Sequence, residues 1–95
     1  MGYIGYEVLH VEQLGGYRLR LRFADGSIGD VDIAEILGRF TGVFAPLADP
    51  SFFARVEADP DAATLVWPGG EIDIAPETLY EAATGRSADQ AGARA

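Results

Sequence analysis

Residues 17–23 alternate strictly between apolar and basic side chains, in the order Tyr-Arg-Leu-Arg-Leu-Arg-Phe. Successive side chains of a β-strand point to opposite faces, so this pattern predicts a strand with one apolar and one basic face. The apolar face holds Tyr17, Leu19, Leu21 and Phe23, and the basic face holds Arg18, Arg20 and Arg22. The arginines form either a recognition surface or the neutralised outer face of a sheet, and the sequence favours the second interpretation.

A first strand is predicted over residues 6–13, and Leu14-Gly15-Gly16 connects it to the arginine strand at 17–24. The length of this connection fixes the register of the two strands. A two-residue Gly-Gly turn would set the apolar residues of the first strand against the arginines. We therefore predict a three-residue loop, which pairs Leu9 with Leu21, Val11 with Leu19, His10 with Arg20 and Glu12 with Arg18.

A third strand is predicted over residues 28–33, after the Asp25-Gly26 turn. A two-residue turn followed by regular pairing would place Asp30 and Asp32 on the core face. We therefore predict a bulge at Gly29, which returns the apolar residues of this strand to the core face. The bulge turns Val31 and Ile33 towards the core, and it directs Asp30 to Arg22 and Asp32 to Arg20. Each exposed pair of this kind contributes only about 0.2–1 kcal/mol, so its main effects are on charge balance and register.

The rest of the chain predicts short helical turns, a second hairpin and a C-terminal helix. Asp32 is the expected N-cap of a turn over 33–38, and Asp49 that of a turn beginning at Pro50, with Phe52 or Phe53 buried. Further strands are predicted over 54–58, 64–67 and 71–74, and a helix over 76–84. The predicted fold class is α+β: an antiparallel three-stranded meander, a second hairpin and strand, and one C-terminal helix. A single domain spans 1–85, and 86–95 is expected to be a disordered tail.

Charge and composition narrow the function classes. The chain has 95 residues and a formal net charge of −8, and an acidic protein repels the phosphate backbone of nucleic acids. We therefore expect no direct nucleic-acid binding, whereas a basic protein partner suits this charge. The absence of cysteine excludes disulfides and thiolate metal sites. No apolar run approaches the ~20 residues that span a bilayer, so we expect no membrane association and a cytoplasmic location.

The residue types of catalysis are present without the spacing that catalysis requires. His10 is the only histidine and falls in a strand, with no companion at metal-ligand spacing. The carboxylates that remain as candidates are Asp25, Asp30, Asp32, Asp49 and Asp73, each of which also suits a turn, a cap or an arginine partner. Ser27 and Ser51 lie outside any nucleophile elbow. We predict no catalytic residues, no metal and no cofactor.

An aromatic pair near the C-terminus is a candidate surface for a protein partner. Trp67 and Pro68 precede a rigid turn, and Pro76 and Tyr80 lie on the helix predicted to face it. Aromatic side chains in such settings often anchor protein partners. The alternative, which the sequence favours, is that Trp67 fills the core of a small domain.

An ordered series of motifs resembles a known family. The series comprises Phe23-Ala24-Asp25-Gly26, Gly29-Asp30-Val31-Asp32, Gly42-Val43-Phe44-Ala45-Pro46-Leu47-Ala48-Asp49-Pro50, Phe53, Trp67-Pro68-Gly69-Gly70, Asp73-Ile74-Ala75-Pro76 and Leu79-Tyr80. It is similar to the small bacterial family catalogued as domain of unknown function 2442, over about residues 6–83. The chain departs from the family pattern at Gly69, where asparagine is usual. The resemblance implies a small α+β fold, no established activity, and a genomic neighbour in pairs resembling toxin–antitoxin modules.

The sequence and the resemblance together favour a non-enzymatic protein-interaction or regulatory accessory module, with an antitoxin-like role beside a neighbouring small protein. The alternative is a small-ligand-binding domain or an enzyme that uses Asp32, Asp73, His10 or the three arginines. A weaker hypothesis is a regulator that reaches DNA through its partner. An exposed sheet edge would also permit a homodimer.

Overall fold

The structure, a computed structural model, describes residues 5–86. In chain order it contains β1 (Val8–Gly15), β2 (Arg18–Phe23), β3 (Ile28–Asp32), α1 (Ile33–Leu37), a 3-10 helix (Gly42–Ala48), α2 (Pro50–Phe53), β4 (Glu57–Asp59), β5 (Thr64–Val66) and α3 (Pro76–Thr84). The first three strands form an antiparallel sheet in the order β1-β2-β3, and β4 pairs with β5. The predicted α+β class is confirmed. A disordered tail was predicted over 86–95, and the residues after Arg86 lie outside the described part of the chain.

The register of β1 against β2 differs from the predicted register by two residues. Val11 lies opposite Leu21, and the ladder is irregular between Gln13 and Gly15. The turn falls on Gly16 and Tyr17 instead of on a three-residue loop. A shift of two residues keeps every side chain on its face, so Val11 still packs against the core.

A second irregularity of β1 reverses the faces at its start. The ladder shifts between Val8 and His10, as happens where two residues of one strand oppose one of its partner. Val8 is fully buried, whereas Leu9 is 39% exposed. The prediction that Leu9 faces the core is therefore wrong, because the pattern of apolar residues does not reveal the shift.

The pairing of β2 with β3 is regular, so the predicted bulge at Gly29 is wrong. The alternation is restored instead by the loop of residues 24–26, which is one residue longer than predicted. Gly26 adopts a positive φ of 90° in this loop, and Oδ1 of Asp25 accepts a 2.8 Å hydrogen bond from the amide of Ser27. Val31 and Ile33 face the core as predicted.

Helix α3 covers the inner face of the sheet, and Gly29 allows its close approach. A Cβ at Gly29 would overlap the backbone carbonyl and the side chain of Ala83, so only glycine fits there. Leu79 and Tyr80 of α3 are fully buried. The core beneath the sheet consists of Val8, Leu19, Leu21, Phe23, Val31, Ile33, Leu47, Phe53, Val56, Leu65, Trp67, Ile72, Ile74, Leu79 and Tyr80.

The caps and the C-terminal helix follow the sequence closely. The side chains of Asp32 and Asp49 cap α1 and α2, as predicted, and Phe53 is buried. Helix α3 begins at Pro76 and ends before Gly85, which has a left-handed conformation. Glycine suits this position because it has no Cβ to clash there.

The second half of the chain has less strand than predicted. The strand predicted over 54–58 begins only at Glu57, and residues 71–74 form no strand. Ile72 and Ile74 nevertheless point inward as expected. A hydrogen bond from Oγ1 of Thr64 to the carbonyl of Ile74, at 2.7 Å, ties this segment to β5. The segment is therefore held by burial of the two isoleucines and by this bond, and not as the predicted strand.

Candidate functional site

The face of the three-stranded sheet opposite the core, here called the outer face, is exposed. It carries His10, Glu12, Arg18, Arg20, Arg22, Ile28 and Asp30. These side chains share one face because strand residues alternate and the two-residue register shift preserves the alternation. The prediction that the three arginines occupy an exposed face is confirmed.

Arg20 and Asp30 form a forked ion pair at the centre of the outer face. Nε of Arg20 lies 2.8 Å from Oδ1 of Asp30, and Nη2 donates to Oδ2 at 3.3 Å. The hydrogen bond from Arg20 lowers the pKa of Asp30 below its ordinary value, and the same bond raises the pKa of Arg20. Arg18 reaches the same carboxylate more loosely, with Nη2 4.0 Å from Oδ2. The centre of the outer face is therefore largely neutral.

Arg22 has a different environment from the other two arginines. It lies opposite His10 on one side and Ile28 on the other, where the predicted register had placed Asp30 beside it. No ion pair joins Arg22 to another residue within 5–86. The predicted neutralisation of Arg22 by Asp30 is therefore wrong, because the loop and not a bulge sets the register.

The two remaining predicted partners are also displaced. Glu12 lies opposite Arg20 instead of Arg18. Asp32, predicted to lie beside Arg20, lies opposite Arg18, and its Oδ1 accepts bonds from the first amides of α1 at 2.9 and 3.3 Å. Asp32 thus serves the helix as an N-cap.

A shallow depression of ≈240 Å³ lies on the outer face. Its lining residues are His10, Glu12, Arg20, Leu21, Arg22 and Ile28. Ile28 is 61% exposed, and it lies opposite Arg22. The depression therefore combines an apolar surface with a cationic group.

The aromatic residues proposed as partner anchors lie inside the protein. Trp67 is 3% exposed, and its Nε1 donates a 3.0 Å hydrogen bond to the carbonyl of Phe53. Tyr80 is fully buried, while Pro68 and Pro76 are half-buried. Trp67 and Tyr80 therefore present no exposed ring to a partner, and the core interpretation describes both. A second depression, of ≈370 Å³, borders Trp67 and Pro68 together with Ala54, Arg55, Val56, Glu57 and Val66.

The sequence did not predict a cluster of side chains around the buried carboxyl group of Asp25. The side chain of Asp25 is 5% exposed, and its Oδ2 accepts a 2.7 Å hydrogen bond from the hydroxyl of Tyr80. Arg86 lies 4.0 Å from the same oxygen, and its Nη2 donates to Oγ of Ser27 at 2.6 Å. The Asp-Gly pair predicted only a turn, and no local pattern connects that turn to α3. The cluster joins the β2–β3 loop to the C-terminal helix.

The other sequence candidates are dispersed. Oγ of Ser51 donates to Oδ1 of Asp49 at 2.7 Å, and bonds from Ser51 lower the pKa of this carboxyl group. Asp73 is exposed on the segment that follows β5. Within the described range, no three histidine or carboxylate side chains are arranged to hold a metal ion. None of the helices within 5–86 is long and apolar enough to cross a bilayer.

Comparison with protein families identifies a match. The family model described as protein of unknown function (DUF2442) matches residues 8–85. No curated protein and no solved structure matches the chain. The matched range begins at the first residue of β1 and ends just after α3, so it contains the whole outer face.

Proposed function

The chain belongs to the DUF2442 family, and from this premise we propose that it is a non-enzymatic module that binds another protein in the bacterial cytoplasm. The partner we propose is the small protein encoded beside it, towards which the chain acts as a regulatory, antitoxin-like accessory. The observation that carries the proposal is the outer face, where Ile28 is 61% exposed beside Arg22. Apolar and arginine side chains at the centre of a surface are typical of protein interfaces.

Net charge supports a protein partner over a nucleic acid. The chain carries a formal charge of −8, and such a field slows the approach of phosphate backbones and accelerates that of basic proteins. The arginines of the outer face do not reverse this effect, because Asp30 neutralises Arg20 directly. A basic partner with an apolar contact for Ile28 fits both the negative net charge and the exposure of Ile28.

Co-expression tests the proposal directly. The tagged chain and the product of the neighbouring gene are purified together and resolved by size-exclusion chromatography. We expect a stable complex that Arg22→Ala and Ile28→Ser weaken, because each removes a side chain from the proposed contact. Arg39→Ala is the matched control, because Arg39 is an exposed arginine outside the sheet. Separate elution of the two proteins would contradict the proposal.

A second candidate function is the binding of a small anion on the outer face. Arg20 and Arg22 line the same ≈240 Å³ depression together with His10, and guanidinium groups bind carboxylates and phosphates. This volume is below the ~300–1,000 Å³ of typical ligand pockets. Titration with inorganic phosphate and with succinate, followed by NMR, decides this alternative: shifts confined to His10, Arg20 and Arg22 support it, and unchanged spectra exclude binding of these anions.

A further inference from the structure

The ladder between β2 and β3 has a defined phase, meaning that its bonds show which residues direct their backbone groups towards the partner strand. The amide of Phe23 donates to the carbonyl of Ser27, and the amide of Ile33 donates to that of Tyr17, both at 2.9 Å. These two bonds lie at the two ends of the paired segment. In an antiparallel ladder, backbone groups alternate between facing the partner strand and facing away from it. The phase of the whole ladder follows from its ends.

This phase leaves backbone groups of β3 on the free side of the sheet. Gly29 and Val31 lie opposite Leu21 and Leu19 and direct their amides and carbonyls towards β2. Ile28 and the neighbouring Asp30 therefore direct theirs away from β2. Within the described residues, these four backbone groups accept or donate no hydrogen bond. They form an open edge, which can pair with another chain.

The other edge of the sheet is flanked by the second hairpin. The amide of Val8 donates to the carbonyl of Ala63 at 3.1 Å, and Nε2 of Gln13 donates to the carbonyl of Ala54 at 2.6 Å. On β3, in contrast, Ile28 is 61% exposed and the side chain of Asp30 is 37% exposed. The β3 edge is therefore the accessible one of the two.

We infer that β3 receives an extended, basic segment of the partner protein as a fourth, antiparallel strand. This inference rests on the proposed function and specifies its contact. Main-chain hydrogen bonds to Ile28 and Asp30 would supply the pairing. Residues directly opposite each other share a face, so an apolar residue of the segment lies beside Ile28 and a lysine or arginine lies beside Asp30.

Charge decides between a foreign segment and a second copy of this chain. Two copies paired antiparallel over all of β3 would place the two Asp30 carboxylates opposite each other, and like charges in that position are destabilising. Each copy also carries a formal charge of −8. The lowered pKa of Asp30 keeps its carboxylate ionised at neutral pH. A basic segment avoids both the repulsion between two Asp30 carboxylates and the repulsion between two negatively charged chains.

Amide hydrogen exchange, followed by NMR, tests this inference without altering the protein. The probe is the capped peptide Thr-Lys-Val-Val-Thr, and the control peptide carries glutamate in place of lysine. We expect the lysine peptide to slow exchange at Ile28 and Asp30, while Gly29 and Val31 stay protected throughout. The glutamate peptide should bind about three- to tenfold more weakly. Unchanged exchange at Ile28 and Asp30 with saturating lysine peptide would overturn the inference.

A pair of variants isolates the backbone contribution. Ile28→Ala removes the exposed side chain and keeps the amide, whereas Ile28→Pro also removes the amide that faces the free edge. An edge position tolerates proline because its N–H takes no part in the ladder. We expect Ile28→Pro to bind the lysine peptide more weakly than Ile28→Ala. Retained protection of the Val31 amide verifies folding, and equal binding by the two variants would contradict strand addition.

The same exchange measurement on the co-expressed complex separates the two proposals. If the neighbouring protein binds and Ile28 and Asp30 exchange as in the free chain, strand addition is wrong and the proposed function stands. If the neighbour does not bind, the proposed partner is wrong. The peptide experiment then decides by itself whether the β3 edge accepts an added strand. Sedimentation of the isolated chain should show a monomer. A dimer that Ile28→Pro dissociates would make a second copy the occupant and overturn the basic segment.

Discussion

The hydroxyl of Tyr80 donates a 2.7 Å hydrogen bond to Oδ2 of Asp25, a residue 55 positions earlier in the chain. The bond joins the middle of α3 to the loop between β2 and β3. The ring of Tyr80 also packs edge-on against Phe23, with 5.0 Å between the ring centres. The side chain of Asp25 is almost completely buried, so this donor partly compensates the loss of water around a carboxylate.

Tyr80→Phe should therefore destabilise the protein by about 1.5–3 kcal/mol, the range for a hydrogen bond to a charged group. The variant keeps the ring and removes one donor to Asp25. Urea unfolding measures the loss. Tyr17→Phe is the control, because the Tyr17 ring contacts Phe40 and Phe53 while its hydroxyl makes no hydrogen bond within the described residues. Equal losses in the two variants would show that the Asp25 bond contributes nothing.

Gly29→Ala should be more destabilising than a glycine substitution that strains only the backbone. The new methyl group would overlap the carbonyl of Ala83, so α3 must move away from β3. Overpacking of this kind costs about 1–3 kcal/mol. Gly26→Ala is the comparison, because Gly26 has a φ of 90° and open space where the new methyl group would lie. Thermal unfolding of both variants checks the order, and a smaller loss for Gly29→Ala would contradict the close packing.

The faces of β2 and the helix caps were predictable because each depends on neighbouring residues. Alternation from Tyr17 to Phe23 specifies the two faces of one strand, whatever its partners. Asp32 and Asp49 cap helices through amides two or three positions ahead. Pro76 and Gly85 bound α3 for equally local reasons. These parts of the fold follow from short-range geometry.

The registers were not predictable, because an apolar pattern constrains pairing only to within steps of two residues. The longer loop at residues 24–26 and the predicted bulge at Gly29 give the same set of buried residues. They differ only in which carboxylate lies beside which arginine. The exposure of the arginines was therefore predicted correctly, whereas the pairing of Arg22 with Ile28 in place of Asp30 was not. The contact of Asp25 with Tyr80 was missed because no sequence pattern spans 55 residues.

The shift at the start of β1 predicts a large difference between two adjacent residues. Val8 is fully buried, and Leu9 is 39% exposed. Val8→Ala should cost about 2 kcal/mol or more, from the two buried methyl groups removed and the cavity left behind. Leu9→Ala should change the free energy of unfolding by less than about 1 kcal/mol. Urea unfolding measures both, and the reverse order would place Leu9 in the core and remove the shift.

The Arg20–Asp30 ion pair predicts a pH-dependent contribution to stability. The pKa of Asp30 is lowered in the folded protein by the hydrogen bond from Arg20. A lowered pKa means that the unfolded chain binds the proton more readily, so stability from this pair is present above the unfolded value of ~3.9 and is lost as the pH falls through the folded value. Asp30→Asn should therefore be less stable than the wild type at pH 7.

The difference between Asp30→Asn and the wild type should shrink as the pH falls, because protonation of Asp30 removes the charge from the ion pair. Urea unfolding at pH 7 and at pH ~3 measures it, and salt should reduce it at pH 7 because both partners are partly exposed. Asp73→Asn is the control, because Asp73 is exposed and forms no ion pair with another described residue. A destabilisation by Asp30→Asn that is equally large at both pH values would mean that packing, and not the ion pair, makes Asp30 stabilising.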